Sequence, residues 1–276
     1  MTNVRIMLWL VSLVSALGAS PFCAGQGPIR IHYELKDSTL TLHEPVIVIF
    51  AVNNDSAHAM NVDLGIDKTQ FFEFSVTAPD GQVFHGGPSL REGIHTLGDV
   101  TIGPGDTYKQ ELLLNQWFRF NSPGSYFLEA RFNAKGSPLG NAPPTQGRWM
   151  RLEIKPRDID RLKKRCAELT ERAETARSVV SARDPALALS YVEDPIAVPY
   201  LARVLSEHTL SYELAVTGLE RIGDKTAVEA LVSALNDRYA DIPELARRAL
   251  ERMAGRISDP KLKENVTRAL AAKTDS

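Results

Sequence analysis

Six histidines carry most of the ordinary acid–base potential of this chain near neutral pH, and they are scattered: His32, His43, His58, His85, His95 and His208. None forms a His-x-x-x-His or His-x-His pair, so no two imidazoles share a helix face or a strand for a metal. His85 and His95 flank a glycine-rich run, His85-Gly86-Gly87-Pro88, ten residues apart. A hairpin between them would bring both toward Asp99 and offer three ligands to a metal. Surface loop histidines are the simpler expectation. The sequence holds no Gly-x-Ser-x-Gly elbow, no Walker loop and no Gly-x-Gly-x-x-Gly. Asn53-Asn54-Asp55 lacks the alternating carboxylates of a calcium loop. Glu193 and Asp194 stand at a helix start, where the helix dipole accounts for acidic residues. No catalytic residue, cofactor or metal is therefore expected.

Recognition chemistry is easier to find. In Gln116-Trp117-Phe118-Arg119-Phe120, alternation puts Phe118 and Phe120 on one face and Trp117 on the other. An exposed Trp117 would be a natural anchor for a protein partner. Arg247, Arg248 and Arg252 form a basic strip on one helix and complete the expected partner-binding set. A second strip, Arg161, Lys163, Lys164 and Arg165, reads as a solvated helix face. Residues 133–147 make a connection far longer than the two to five residues of a common hairpin. It is either a binding loop or slack.

These residues sit in a chain of 276 residues with net charge -2 and an ordinary apolar fraction of 43%. That length suits one or two domains. The even charge excludes nucleic-acid binding through a bulk basic field. Two cysteines are too few for a disulfide scaffold.

Residues 1–25 read as an export signal. Arg5 precedes an apolar run over 6–17 that is too short to span a bilayer comfortably. Small residues follow, with cleavage expected after Gly18 or after Gly25. An uncleaved anchor is the alternative. Pro21 and Phe22 before Cys23 argue against lipidation. No later segment is apolar enough to span a membrane. Loss of Cys23 with the signal would leave Cys166 unpaired, at a helical apolar position that suits a buried thiol. The expected location is secreted or periplasmic.

Residues 28–156 read as strands. Ile29 to Leu35 alternates, and Val46 to Val52 is β-branched and closes on Asn53-Asn54-Asp55-Ser56. Pro79-Asp80-Gly81 turns one strand into the next. Segments around 100–102, 108–114, 126–132 and 149–154 bring the set to seven or eight strands, which predicts an antiparallel sandwich. The run from Leu42 to Asn54 resembles the second strand of bacterial immunoglobulin-like domains. Ile102-Gly103-Pro104-Gly105-Asp106 and Ser122-Pro123-Gly124-Ser125-Tyr126 resemble them too. The resemblance implies that the Tyr126 hydroxyl bonds back to the preceding corner.

Residues 157–276 change period. Ile159, Leu162, Cys166, Leu169, Ala173, Ala176 and Val180 are spaced for one amphipathic helix, with Asp158 as its N-cap. A repeat of about 30 residues follows. Asp194, Ala197, Val198, Leu201 and Leu205 match Asp224, Ala227, Val228, Leu231 and Leu235. Ala215, Leu219 and Ile222 match Ala246, Leu250 and Met253 one residue further on. Leu189 and Val192 give a half-repeat ahead of these, and a closing helix is expected after Asp259. The pattern resembles HEAT repeats of the PBS-lyase-like short form. The arginine that many such units carry early in the second helix is replaced by Tyr212 and Pro243, which puts their usual polar ladder in doubt.

The expected fold is thus all-β followed by all-α: an immunoglobulin-like β-sandwich and then a short α-solenoid of HEAT-type hairpins. The expected function is non-enzymatic binding of a protein partner through the sandwich loops and the helical face. The first alternative is a proteinase inhibitor, since some bacterial inhibitors are single sandwiches resembling the first half. The second is a metal-dependent enzyme using His85 and His95.

Overall fold

The computed structural model describes residues 29–63, 72–86, 99–132, 148–207, 209–239, 241–257 and 259–271. Ten strands come first: β1 (Ile29–Leu35), β2 (Thr39–Thr41), β3 (Ile47–Asn54), β4 (Met60–Asp63), β5 (Phe72–Thr77), β6 (Val83–Gly86), β7 (Asp99–Ile102), β8 (Thr107–Leu113), β9 (Gly124–Phe132) and β10 (Arg148–Lys155). They form a three-stranded sheet, β1-β3-β8, a five-stranded sheet, β2-β10-β9-β5-β6, and the pair β4-β7. Both larger sheets feed one core. Tyr33, Phe50, Phe72, Phe132 and Leu128 are buried there, and the Phe50 and Phe72 ring centroids lie 4.9 Å apart. The inward set recurs at every second residue of β9, at Tyr126, Leu128, Ala130 and Phe132, as a two-residue side-chain period requires.

Two features depart from the sequence expectation. β2 and β4 are not expected from the sequence: β2 has only three residues, and β4 lacks the Pro-Gly turn residues that mark the equally short β6 and β7. The pairing is also not wholly antiparallel. After the bend at 36–38 the chain leaves β1's sheet and joins the other. There β2 runs parallel to β10, with Leu40 opposite Ile154.

Among the described residues seven α-helices follow: α1 (Ile159–Glu174), α2 (Val179–Ser190), α3 (Val198–Ser206), α4 (Tyr212–Ile222), α5 (Lys225–Ala234), α6 (Asp241–Ala254) and α7 (Pro260–Ala271). The single helix expected from Ile159 to Val180 is two. Thr175 ends α1 by donating its N–H to Glu171 O, and Ser178 opens α2 with a reciprocal capping box to Ser181. Ile159, the first residue of the expected seam, is 44% exposed. The split turns the half-repeat into a whole hairpin. α1, α3 and α5 touch in succession as one layer, and α2, α4 and α6 as the other. Asp158 caps α1 as expected, and Asp194 and Asp224 cap at equivalent repeat positions, each of the three accepting a backbone N–H two or three residues on. Gly223 ends α4 in the left-handed conformation that a side chain would resist, with φ of 64°.

A polar ladder joins the repeats near the ends of the second helices rather than at Tyr212 and Pro243. Tyr191, Arg221 and Arg252 occupy equivalent repeat positions. Arg221 Nη1 donates to Ser190 O at 2.9 Å, and its guanidinium lies 3.7 Å from the Tyr191 ring centroid. One repeat later, Arg252 Nη2 donates to Glu220 at 2.7 Å. Each arginine near the end of a second helix thus reaches back to the preceding repeat. Among the described residues, no helix is long and apolar enough to cross a membrane.

Candidate binding cleft at the seam of strands and helices

The strands and helices are joined by a seam of charge and apolar contact. Glu44 is its centre. Its side chain is 1% exposed, so an unpaired carboxylate there would be costly. Its Oε2 accepts the Thr41 N–H at 2.6 Å and Arg161 Nε at 2.7 Å. Its Oε1 accepts Arg165 Nε at 3.4 Å. Arg161 also donates to Thr39 O, and Arg165 to Asp37. The basic strip expected to be solvated therefore divides, since Arg161 and Arg165 turn toward the strands. Backbone groups close the joint. Thr41 Oγ1 donates to Pro156 O and accepts the Asp158 N–H.

Apolar side chains cross the same boundary. Ile47 and Leu113 face each other across β3 and β8, yet both are buried within the helical core beside Leu162, Cys166 and Leu169. Farther along, Arg157 forks onto Asp194 at 2.5 and 2.9 Å. Hydrogen bonding from Arg157, outweighing the cost of burial and helped by the Ile196 N–H, holds the Asp194 carboxyl below the usual carboxylate range. One bond thus fixes the linker to the cap of the turn that leads into α3.

Beside this seam lies a cleft of about 260 Å³. The strand side supplies His43, Glu44 and the stretch from Asn115 to Asn121, and the helical side supplies Tyr191, Glu193 and Arg221. A 3-10 turn, Leu114–Gln116, follows β8 and presents the next residues to the cleft. Asn115 Oδ1 pins it by accepting the Val46 N–H at 2.7 Å. His43 shapes the opposite rim with φ of 74°, a left-handed conformation uncommon for a side-chain-bearing residue. Arg119 and Glu193, of opposite sign, line the cleft with no ion pair among the described residues. Cation, carboxylate, amide and indole groups here converge on one small volume, the kind of lining that orients a polar ligand.

The residues singled out in the sequence divide. Trp117 lines the cleft, half-buried, with its ring 5.2 Å from that of Phe74. Phe118 and Phe120 are buried, as alternation suggested, although the segment is not a strand. Arg247, Arg248 and Arg252 lie on α6, outside the cleft. Arg247 pairs with Glu244 and Glu251, Arg248 with Glu244, and Arg252 with Glu220. His85 Nδ1 shares a hydrogen bond with Ser75 Oγ at 2.9 Å. Residues 1–25, His95 and the 133–147 connection lie outside the described residues, as does the Asp99 side chain. Among the described residues, no group of three or more His, Cys, Asp or Glu is placed to hold a metal. The cleft positions of His43, Arg119, Tyr191, Glu193 and Arg221 were not expected from the sequence. The 30-residue repeat carried a usable signal for the Tyr191–Arg221 stack. Nothing in the spacing pointed to the others.

Comparison with known proteins bears on the helices. The family described as the PBS lyase HEAT-like repeat matches residues 213–237, from α4 into α5 and just beyond. No curated protein matches the chain. Among solved structures, the Pseudomonas fluorescens alkylpurine DNA glycosylase AlkC is 11% identical, over 46% of this chain and 30% of that one, with a TM-score of 0.26. The CARDB domain of a Pyrococcus furiosus protein is 8% identical, over 46% and 87%, with a TM-score of 0.25. The Bacillus subtilis sporulation control protein Spo0M is 11% identical, over 52% and 55%, with a TM-score of 0.27. The chain thus spans less than two thirds of the first and third of these.

Proposed function

We propose that this is an exported, non-enzymatic binding protein that holds a protein partner in the cleft between its strands and its helices. The observation that carries the reading is the opposition of Arg119 and Glu193 around Trp117, in a cleft whose two walls are fixed by the Glu44 joint. Fixed walls lower the ordering cost of binding, and opposed charges orient a polypeptide segment. The strand half is read as an immunoglobulin-like sandwich. The Tyr126 hydroxyl, which donates to Ser122 O at 2.8 Å across the corner, supports that reading. In this proposal Arg247 and Arg248 form a secondary contact surface on α6, and Arg252 serves the repeat ladder. In this proposal residues 1–25 act as an export signal, and the partner is periplasmic or extracellular.

The test is quantitative crosslinking in the native envelope with the wild type, Trp117→Ala, the Arg119→Ala/Glu193→Ala pair and Arg248→Ala. The cleft variants should lose a saturable crosslink that the wild type makes, and Arg248→Ala should weaken it. An unchanged crosslink in both cleft variants overturns the reading.

A further inference from the structure

A second cavity, of about 430 Å³, opens where the C-terminal ends of α1 and α3 meet the α3–α4 turn. Glu174, Arg203, Glu207, Thr209 and Leu210 are among its lining residues. Two of them carry buried oxygens without a hydrogen-bond partner among the described residues: Glu174 Oε1 and Thr209 Oγ1. Thr209 is only 9% exposed. Two further buried hydroxyls in the same condition, Thr170 and Ser211, stand one helical turn before Glu174 and two residues after Thr209. Ser211 precedes α4 without capping it. Buried oxygens are rarely left unsatisfied unless something else satisfies them.

The electrostatics name the ligand class. Arg203 Nη2 reaches Glu174 Oε2 at 2.6 Å and leaves Oε1 unmet. Glu207 adds a second carboxylate at the exposed rim. Among the described residues the lining thus holds one more carboxylate than guanidinium, and two helix C-termini add partial negative charge. Every one of these features favours a cationic hydrogen-bond donor. Leu210, 46% exposed, offers apolar surface along which an aliphatic stem can lie.

We infer that this cavity is a binding site for a guanidinium on an aliphatic stem, the side chain of an arginine on a partner polypeptide. Its planar fork supplies donors to Glu174 Oε1 and Thr209 Oγ1 together, which a single compact ammonium does less well. The site is separate from the cleft, so either can fail without the other.

The experiment is an NMR titration of the full chain. The probes are N-acetyl-arginine amide, an arginine-centred pentapeptide, agmatine, and N-acetyl-norleucine amide as the uncharged control. The amide signals of Thr209 and Leu210 should shift saturably with the arginine probes and stay fixed with norleucine. Glu174→Gln should weaken binding about ten- to a hundredfold, the worth of a hydrogen bond to a charged group. Thr209→Val, which keeps the side-chain shape, should weaken it several-fold and keeps the test alive if Glu174→Gln does not fold. The pentapeptide should bind more tightly than agmatine. Equal affinity for the two would assign the site to free guanidino compounds and overturn the polypeptide assignment. No saturable shift with any cation, or undiminished binding by the folded variants, would overturn the site itself.

Discussion

Arg161 Nε lies 2.7 Å from Glu44 Oε2, and the two residues are 117 positions apart. Their bond ties the first turn of α1 to the tight turn between β2 and β3. Removing one partner from a buried pair typically costs about 3–5 kcal/mol, because the remaining charge stays desolvated.

Glu44→Ala should lose several kcal/mol, because it strips the acceptor from the Thr41 N–H, Arg161 and Arg165 together, while Arg161→Ala loses less, since Arg165 and the Thr41 N–H still reach the carboxylate. The variant should also uncouple the two regions. In urea, the wild type should show coincident transitions for tryptophan fluorescence, which reports the strands, and far-ultraviolet circular dichroism, which the helices dominate. Glu44→Ala should separate them. Leu113→Ala, which opens a hole where the strand side enters the helical core, should do the same at a cost of about 2–5 kcal/mol. Coincident transitions in both variants would contradict the coupling.

Much of this architecture was legible in the residues, and the exceptions have physical causes. Side-chain periods of two and about 3.6 exposed every strand of six or more residues and both full repeats, because burial on one face imposes them. β2 is too short to display a period, and β4 has no Pro-Gly turn beside it such as marks the equally short β6 and β7. The break between α1 and α2 was masked because Ala176 continued the apolar spacing past the Thr175 cap. The seam has no local signature, since Glu44 meets arginines more than a hundred residues away. The cleft was half legible. Trp117 stood out by type, but Arg119 and Glu193 acquire meaning only from opposing walls. The repeat ladder stands near the ends of the second helices, at Arg221 and Arg252, where an arginine in a repeat reads as an ordinary surface charge until its partner one repeat back is known.

Cys166 gives a test of burial. It is fully buried between α1 and the seam, and burial pushes its thiol up to about 12. At pH 8 the thiolate fraction is then on the order of one in ten thousand, and the reagent has no access. In a Cys23→Ser background, a disulfide-exchange chromogen should titrate no thiol in the native protein and one equivalent in denaturant. Rapid native labelling would refute the packing of α1.

Acid should weaken α6 through Glu244. Hydrogen bonds from Arg247, then Arg248, lower its carboxyl from 4.5 to about 2. A lowered folded value means that the stabilisation is present above about pH 4.5 and is lost as pH falls toward 2. The group is solvent-exposed, so salt should screen the effect. Between pH 5 and 2, Tm should fall further in the wild type than in the Arg247→Ala/Arg248→Ala variant. The difference should shrink in molar salt. Parallel falls in both proteins would show that the pairs contribute nothing.

Two glycines of the helical half should respond to alanine with opposite signs. Gly218 sits inside α4, where alanine would ordinarily gain up to about 1 kcal/mol of helix propensity. A Cβ there would stand 2.9 Å from Ser190 Cα and 2.9 Å from Leu201 Cδ2. The first of these is backbone, so α4 must move away from α2. Overpacking of this kind costs about 1–3 kcal/mol, more than the propensity returns. Gly255, just past α6, has nothing within 4 Å of the same built atom and no positive φ. Alanine there restricts the unfolded chain without strain and should gain about 0.4–1 kcal/mol. Thermal unfolding of the two variants side by side should therefore move Tm down for Gly218→Ala and level or up for Gly255→Ala. A Gly218→Ala protein as stable as the wild type would mean that α4 does not approach α2 and α3 this closely, and that the hairpins stack more loosely.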